Sequence, residues 1–384
     1  MPTNVGRAGQ QPVGGAGIPG WANSDCVEGR RAQVGLPFVV RVLHLYRPRL
    51  PELRAQAVQV LHTCHALAAR GHEVTLLADR ALGFDGDATE ALERYGLDHP
   101  PGLDLRLAPT AWLPAAGLWF RASVAGWCAR SGRDAVVYAR AKRYVAVIPA
   151  RIPVVLEAHE LDSALDREAG RDPGANLALE RAVYARAAGL VTNCAGTLHV
   201  IRAAHAVPPH AVVWNATRAD RAVPGVGGGG VGVVGSGGDY KGVRSVLLAA
   251  STGPAPVTFV GGAEDIPGVR TVAAVGYGEV PSVLAGLDVL LLPLQDNLFG
   301  RALTNPLKLW DYLATDRPIV APDLPSIREV TEDVHFYDPR TLDTVAPAIA
   351  RALAQRVRTP RLRTWEDRAA EIERFLAETL GGRS

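Results

Sequence analysis

From residue 38 onward, short apolar runs alternate with longer stretches in which apolar residues recur every three or four positions. Residues 38–45 and 73–78 are rich in strand-forming residues, and residues 52–69 between them have the apolar spacing of a helix. Arg70-Gly71-His72 ends that helix, with glycine at the position that favours it. This order predicts a strand–helix–strand unit in a parallel sheet.

The same alternation fills the rest of the amino-terminal half. The predicted strands are residues 103–107, 135–138, 154–157 and 190–193, and the predicted helices are residues 118–129, 176–188 and 197–204. Residues 37–206 are therefore expected to form a doubly wound α/β domain, in which helices cover both faces of a parallel sheet.

A second alternation follows a glycine-rich segment. Residues 207–230 contain a short strand and then Val226-Gly227-Gly228-Gly229-Gly230, which is typical of an interdomain linker and is expected to be the hinge. The predicted strands after it are residues 231–234, 257–260, 288–292 and 319–321, and the predicted helices are residues 243–250, 280–285, 307–314 and 345–357. Residues 231–360 are expected to form a second doubly wound domain, and residues 361–384 contain a final amphipathic helix.

Residues 305–330 form the segment most typical of a ligand site. A helix runs through a turn into a short apolar strand, and a second helix starts at Pro325-Ser326. Open α/β sheets bind anions where a strand ends against a helix N-terminus, because unpaired N–H groups and the helix dipole face the negative charge. We therefore expect a phosphate or nucleotide here, in a cleft between the two domains.

Composition narrows the class of protein. The net charge of +2, from 41 basic and 39 acidic residues, gives no general signature of nucleic-acid binding. The chain has no apolar run long enough to span a bilayer and no signal-peptide pattern, so a cytoplasmic enzyme is expected. Residues 1–36 are rich in Gly, Pro, Gln and Asn and are predicted to be a disordered tail.

The cysteines show no pattern of a metal site. They have neither CxxC nor Cys/His spacing, so we expect buried thiols rather than zinc ligands or disulfides. The four are Cys26, Cys64, Cys128 and Cys194. The first strand is not followed by GxGxxG, which disfavours a dinucleotide-dependent dehydrogenase.

Six short motifs occur in order between residues 39 and 380. They are Arg54-Ala55-Gln56-Ala57-Val58, Leu67-Ala68-Ala69-Arg70-Gly71-His72-Glu73-Val74, Tyr240-Lys241-Gly242-Val243, Asp288-Val289-Leu290, Pro306-Leu307-Lys308-Leu309-Trp310-Asp311-Tyr312-Leu313-Ala314 and Thr364-Trp365-Glu366-Asp367-Arg368-Ala369. Together they resemble the retaining GT-B glycosyltransferases of the family 4 type. The resemblance implies two Rossmann-like domains that face a central cleft. It also implies a last helix that crosses back to the first domain.

The same resemblance implies the reaction. A nucleoside diphosphate sugar, held mainly by the carboxyl-terminal domain, would donate its sugar to a hydroxyl of an acceptor held mainly by the amino-terminal domain. The acceptor is a glycan, a lipid-linked carrier or a small metabolite, and neither a metal nor a cofactor is expected. One alternative is a non-catalytic GT-B protein that binds nucleotide sugars. A nucleotide-sugar epimerase is a weaker alternative, because no catalytic acid/base set for it is recognisable.

The carboxyl-terminal domain supplies the expected donor contacts. Lys241 precedes a predicted helix, where its ammonium would stabilise the departing diphosphate as a catalytic group. Asp311 takes the place of the second glutamate of the family's pair, which implies hydrogen bonds to the ribose hydroxyls. Leu303 stands where the first glutamate would contact the donor sugar. The other expected donor contacts are Thr304, Asn305, Leu307 and Lys308.

The amino-terminal domain supplies the acceptor side. His159 follows a predicted strand, and the resemblance implies that it approaches the transferring sugar as a catalytic residue. A lone histidine is more often structural, so this role depends on position. Arg54 and Glu160 are candidates for an acceptor or phosphate contact. Basic residues on this domain leave peripheral membrane association open, although solvated charges are the simpler interpretation; they are Arg140, Lys142 and Arg143.

Overall fold

The structure is a computed structural model, and it describes residues 39–52, 54–108, 114–132, 134–218, 220, 224–262 and 264–381. The tail predicted to be disordered, residues 1–36, and Cys26 within it lie outside the described residues. Of the helices described, none combines the length and apolar character needed to cross a bilayer.

The first sheet is formed by eight parallel strands of the described chain. They are β1 (Arg41–Leu45), β2 (Arg49–Leu50), β3 (Glu73–Arg80), β4 (Leu103–Leu107), β5 (Ala135–Ala139), β6 (Val154–Ala158), β7 (Gly189–Thr192) and β8 (His210–Val212). The order is β2-β3-β1-β5-β6-β7-β8, and β4 pairs with β3 beside β2. The central strand β1 places Val42 between Val74 and Val136, so apolar residues on neighbouring strands lie in register.

Six helices connect these strands and cover the sheet. They are α1 (Ala55–Ala69), α2 (Ala88–Glu93), α3 (Pro114–Arg130), α4 (Asp162–Glu168), α5 (Gly174–Arg186) and α6 (Ala195–Ala204). Strand residues such as Leu43, Val137 and Leu156 are fully buried beneath them. Because both faces of a parallel sheet are covered, its strands are apolar throughout, which explains why they were recognisable in the sequence.

The second sheet is also parallel, in the order β11-β10-β9-β12-β13-β14. Its strands are β9 (Val231–Val234), β10 (Val257–Val260), β11 (Val269–Val272), β12 (Val289–Leu291), β13 (Ile319–Pro322) and β14 (His335–Tyr337). The helices of this half are α7 (Val243–Ala250), α8 (Val280–Ala285), α9 (Leu298–Ala302), α10 (Leu307–Leu313), α11 (Pro325–Arg328), α12 (Val345–Gln355) and α13 (Trp365–Gly381).

Two doubly wound parallel sheets confirm the predicted α/β fold class. Several short elements were not predicted from the sequence, including α2, α4, α9, β11 and β14. These have three to seven residues each, too few for a periodic pattern to stand out. The sequence predicts that the first domain ends at residue 206. Strand β8 begins after this residue and pairs with β7, so the first sheet extends beyond the predicted end of the domain.

The glycine-rich segment is not the free hinge that we expected. The N–H groups of Gly228 and Gly230 donate to the two carboxylate oxygens of Asp288, at 2.7 and 2.8 Å. The N–H groups of Val226 and Gly227 donate to the carbonyl of Ala285, at 2.8 and 3.0 Å. These bonds fix the segment to the second sheet, because a carboxylate that accepts two backbone N–H groups forms strong hydrogen bonds.

The chain instead crosses between the two halves at residues 213–218. The N–H of Val213 still donates to the carbonyl of Thr192 on β7, at 2.8 Å, whereas the backbone N–H of Asn215 donates to Asn305 in the second half, at 2.8 Å. Thr217 pairs with Thr364, where the chain crosses back. The two crossing segments thus lie side by side.

The last helix, α13, packs against α1 of the first half. Its Arg368 is completely buried and forms an ion pair with the buried carboxylate of Glu157 on β6. The same guanidinium donates to the carbonyls of Val213 and Trp214 in the outgoing crossing, at 2.6 and 2.7 Å. One side chain therefore joins β6, α13 and the crossing.

Replacing Arg368 should destabilise the protein strongly. Arg368→Met leaves the carboxylate of Glu157 buried without its main cation, which typically costs about 3–5 kcal/mol of unfolding free energy. The shift of the urea unfolding midpoint measures this loss. The double variant Glu157→Gln/Arg368→Met should recover much of it, because both charges are then absent.

The control for that measurement is Arg374→Met, since Arg374 is an exposed arginine on the same helix. It should leave the midpoint nearly unchanged. An equal loss of stability in the single Arg368→Met variant and the double variant would contradict a role for the ion pair.

Candidate functional site

The two halves face each other across a cleft of about 640 Å³. The carboxyl ends of β6, β9, β10 and β12 open into it, together with the loop that leads from α9 to α10. This is the edge at which parallel sheets bind ligands, because the connecting loops and helix N-termini gather there. The cleft therefore lies at the sheet edge where the sequence predicts the ligand site.

Two lysines lie on the carboxyl-terminal wall of the cleft. Lys241 precedes α7, and Lys308 is in the first turn of α10. The side chain of Lys308 passes over Gly235, where an added Cβ would lie only 2.7 Å from its Cε. Gly235 also has a φ of 109°, which strongly favours glycine. A glycine at the end of β9 thus provides the space for Lys308.

The two lysines have no acidic partner in the described part of the chain. Burial and, to a smaller extent, the positive charge of Lys241 together lower the pKa of Lys308 to about 7. No hydrogen bond or ion pair of either ammonium to another described residue is present. A half-buried pair of like charges is unfavourable unless an anion lies between or beside them, so this wall is suited to a phosphate group.

Asp311 lies one turn after Lys308 and is almost fully buried, although it still lines the cleft. The hydroxyl of Thr217 donates to its Oδ1 at 2.5 Å. Thr217 belongs to the outgoing crossing, so the carboxylate is held by the segment that joins the two halves. The predicted role of Asp311 in binding ribose hydroxyls stays a prediction, and its placement in the cleft is compatible with it.

Asn305 lines the cleft, but its side-chain oxygen already accepts two hydrogen bonds. The backbone N–H of Asn215 donates to it at 2.8 Å and the indole of Trp310 at 2.7 Å. These two hydrogen bonds hold the crossing segment against α10. Thr304 and Leu307 line the same wall, and Leu303, the residue at the position of the missing glutamate, is 1% exposed.

His159 follows β6 and projects from the amino-terminal wall, with Glu160 beside it. Its Nε2 lies 3.0 Å from Oε1 of Glu157. Burial and the positive charge of Arg140 lower the pKa of His159 to about 4, against the opposing effect of Glu157. The ring is therefore neutral at pH 7. Because a carboxylate accepts at Nε2, that nitrogen carries the proton and Nδ1 is the acceptor atom.

The side chain that anchors His159, Glu157, was not recognisable from the sequence. Burial alone would raise the pKa of Glu157, but Arg368, His159 and Arg140 outweigh it and hold the carboxyl well below its usual range. The side-chain amide of Gln59 on α1 also donates to Glu157, at 2.8 Å. Arg368 is remote in sequence from Glu157, so no local pattern could have predicted the pair.

Arg54 is not brought to this cleft. Its side chain is 75% exposed and pairs with Glu52 at 2.9 Å, in a smaller neighbouring cavity. Lys142 pairs with Asp162 at 2.5 Å and with buried Glu180 at 3.0 Å, so it is part of the interior of the first half.

The cysteines and the possible metal ligands were also considered in the sequence. The three cysteines within the described residues, Cys64, Cys128 and Cys194, are buried free thiols, as expected. Within the same residues, no group of three His, Cys, Asp or Glu side chains is arranged to hold a metal ion.

Comparisons with known proteins agree with this geometry. Residues 56–221 match the sequence profile of Glycosyltransferase Family 4. The structure resembles sucrose-phosphate synthase from Thermosynechococcus elongatus, with a TM-score of 0.64 and 15% identity over 90% of this chain and 94% of that chain. The chain has the GT-B fold, and residues 56–221 resemble family 4 glycosyltransferases.

Two other GT-B structures align over similar lengths. HepE from Anabaena, in complex with UDP and glucose, has a TM-score of 0.61 and 14% identity over 89% of this chain and 99% of that chain. An α,α-trehalose-phosphate synthase from Burkholderia xenovorans, in complex with glucose-6-phosphate, has a TM-score of 0.55 and 10% identity over 88% of this chain and 96% of that chain. The comparison with curated proteins found no match.

These findings confirm the family resemblance predicted from the six motifs. The family match covers the amino-terminal half, and the GT-B fold covers both halves. Together they support a glycosyltransferase of the GT-B type.

The lowered pKa of Lys308 is directly measurable. Its amine should be half-deprotonated near pH 7, rather than near the ordinary value of 10.5, and should react with acetic anhydride at correspondingly low pH. Mass spectrometry of competitive labelling between pH 5 and 11 would give the midpoint, about 7 for Lys308.

Lys241→Gln should raise that midpoint, because it removes the neighbouring positive charge. Arg244→Gln is the control, since Arg244 is exposed on α7 and pairs with Glu264 at 3.6 Å. A wild-type midpoint near 10.5 would show that the two ammonium groups are not held together.

Proposed function

We propose that this protein is a retaining, metal-independent glycosyltransferase, which moves a hexosyl group from a nucleoside diphosphate sugar to a hydroxyl of an acceptor. The observation that carries the proposal is the position of Lys241 and Lys308. They converge at the end of β9, with no carboxylate partner in the described chain. Two ammonium groups match the negative charge that develops on a diphosphate leaving group.

In this mechanism the bond between the anomeric carbon and the diphosphate oxygen breaks, and the acceptor oxygen bonds to the same face of the sugar. The proton of the acceptor hydroxyl passes to the departing diphosphate. Lys241 and Lys308 stabilise the charge on that leaving group, and Asp311 binds the ribose. Donor binding raises the pKa of Lys308, because an anion favours its charged form.

His159 acts in this proposal as a neutral hydrogen-bonding group. Its Nε2–H is engaged by Glu157, which leaves Nδ1 to accept from a sugar hydroxyl. Since its pKa is about 4, it does not supply the proton for the reaction near pH 7. Its contribution is to orient the transferring sugar.

Contacts between the halves would limit access of water to the reaction. The carboxylate of Glu168 at the end of α4 accepts from the N–H of Leu298 at the start of α9, at 2.6 Å. Glu168 lines the cleft, and Leu298 lies between the lining residues Asn297 and Phe299, so this bond joins its two sides. Exclusion of water favours transfer to the acceptor over hydrolysis of the donor.

Incubation with UDP-, GDP- and dTDP-sugars would test the proposal by release of nucleoside diphosphate. UDP-glucose is the first donor to try, because HepE binds UDP and glucose. Lys241→Gln should lower kcat/KM about 10²–10³-fold, the usual effect of removing one group that stabilises developing charge. Arg244→Gln should leave it unchanged. Donor binding without turnover in the wild type would indicate a non-catalytic GT-B protein instead.

The stereochemical course and the metal requirement form a separate prediction. NMR of the product should show the same anomeric configuration as the donor, and EDTA should not reduce the rate. An inverted product would contradict the retaining mechanism. Restoration of an EDTA-treated enzyme by added Mg²⁺ or Mn²⁺ would contradict metal independence. A change of the donor sugar without any acceptor would indicate an epimerase.

A further inference from the structure

A second, smaller cavity of about 150 Å³ lies beside the cleft, where the chain passes from β1 through β2 into α1. Polar and charged side chains predominate in its lining, which we call the arginine pocket. Its residues are Tyr46, Arg47, Pro48, Arg49, Glu52, Arg54, Gln56, Ala57 and Asp79.

Positive charge exceeds negative charge in the arginine pocket, because three guanidinium groups face two carboxylates. Arg47 is paired with Asp79 at 2.8 Å, and both side chains are largely buried. Glu52 alone serves the other two arginines: its Oε1 lies 3.0 Å from Arg49 and its Oε2 lies 2.9 Å from Arg54. A guanidinium has five N–H donors, so each of these single contacts uses a small part of its capacity.

The arginine pocket is connected to the cleft through Gln56, which lines both cavities. The hydroxyl of Tyr46 donates to the side-chain oxygen of Gln56 at 2.6 Å, and this fixes the wall between them. Arg140, which lines the cleft, lies 5.4 Å from the centre of the Tyr46 ring. A molecule held in the arginine pocket is therefore separated from the cleft by the Gln56 side chain.

We propose that the arginine pocket binds a phosphate ester group of the acceptor, so that the acceptor is a phosphate ester with a free hydroxyl. This inference rests on the proposed function. The phosphate takes the place of Glu52 between Arg49 and Arg54, because guanidinium groups bind phosphate in two-point fashion. In the free protein, Glu52 holds the two guanidinium groups in position for that exchange.

Two sources share this chemistry, a soluble sugar phosphate and the phosphate of a lipid head group. Glucose 6-phosphate is a suitable soluble probe, because it carries a phosphate and several hydroxyls. Vesicles of phosphatidylcholine mixed with phosphatidylglycerol are the corresponding lipid probe, with pure phosphatidylcholine as the neutral comparison.

The test is calorimetric titration of glucose 6-phosphate into protein saturated with UDP, which occupies the lysines of the cleft. The double variant Arg49→Gln/Arg54→Gln should weaken binding at least about tenfold, since it removes both guanidinium groups that would form charged hydrogen bonds to the phosphate. Arg244→Gln should bind like the wild type, and glucose should not bind the pocket. Co-sedimentation with the vesicles repeats the comparison for the lipid source.

Glu52→Gln gives the most discriminating result. It should strengthen binding of the phosphate probe several-fold, because the internal carboxylate no longer competes for Arg49 and Arg54. Ion pairs that only stabilise the fold would give no gain in binding. Unchanged binding in both the arginine and the Glu52 variants overturns the proposal, and so does failure of the wild type to bind either phosphate probe.

These outcomes are distinct from those that test the reaction. Failure of the proposed function appears as absence of nucleoside diphosphate release from any donor, whatever the phosphate probes show. Failure of the arginine pocket appears as phosphate binding that is absent or insensitive to Glu52, Arg49 and Arg54, whether or not a donor is turned over.

Discussion

The buried ion pair between Glu157 and Arg368 is the interaction on which the rest of the structure depends. Removal of two charges from water is costly, and here the cost is offset because Gln59 and His159 donate to Glu157 while Arg368 donates to two backbone carbonyls. Those partners come from α1, the end of β6 and the outgoing crossing. The orientation of the imidazole in the cleft thus follows from the docking of the last helix.

The charged side chains of the interior and those of the cleft differ in the partners that surround them. Glu157 is surrounded by donors, whereas Lys241 and Lys308 have no acidic partner among the described residues. Three donors meet at Oε1 of Glu157, from Gln59, His159 and Arg368, whereas the two lysines line the space that a ligand can enter. That contrast identifies the cleft more clearly than any single residue of the motifs, because a solvated Lys308 would show no lowering of its pKa.

The sequence predicted the parts of the structure that depend on local pattern. Strands such as β6 and β9 are apolar runs, and Lys241 and Lys308 lie beside recognisable strand and helix ends. It could not predict contacts between distant segments, such as Arg368 with Glu157 or Thr217 with Asp311. The glycine-rich run was misjudged for the same reason: its composition is that of a linker, but Asp288 binds its backbone.

Because Asp288 holds the glycine run, the chain passes between the two halves at the paired crossing segments around Thr217 and Thr364. Thr217 belongs to the outgoing segment and also donates a hydrogen bond to Asp311 on α10. The crossing and a carboxylate of the cleft are thus joined by one hydrogen bond. A shift of one half against the other would act on both of them together.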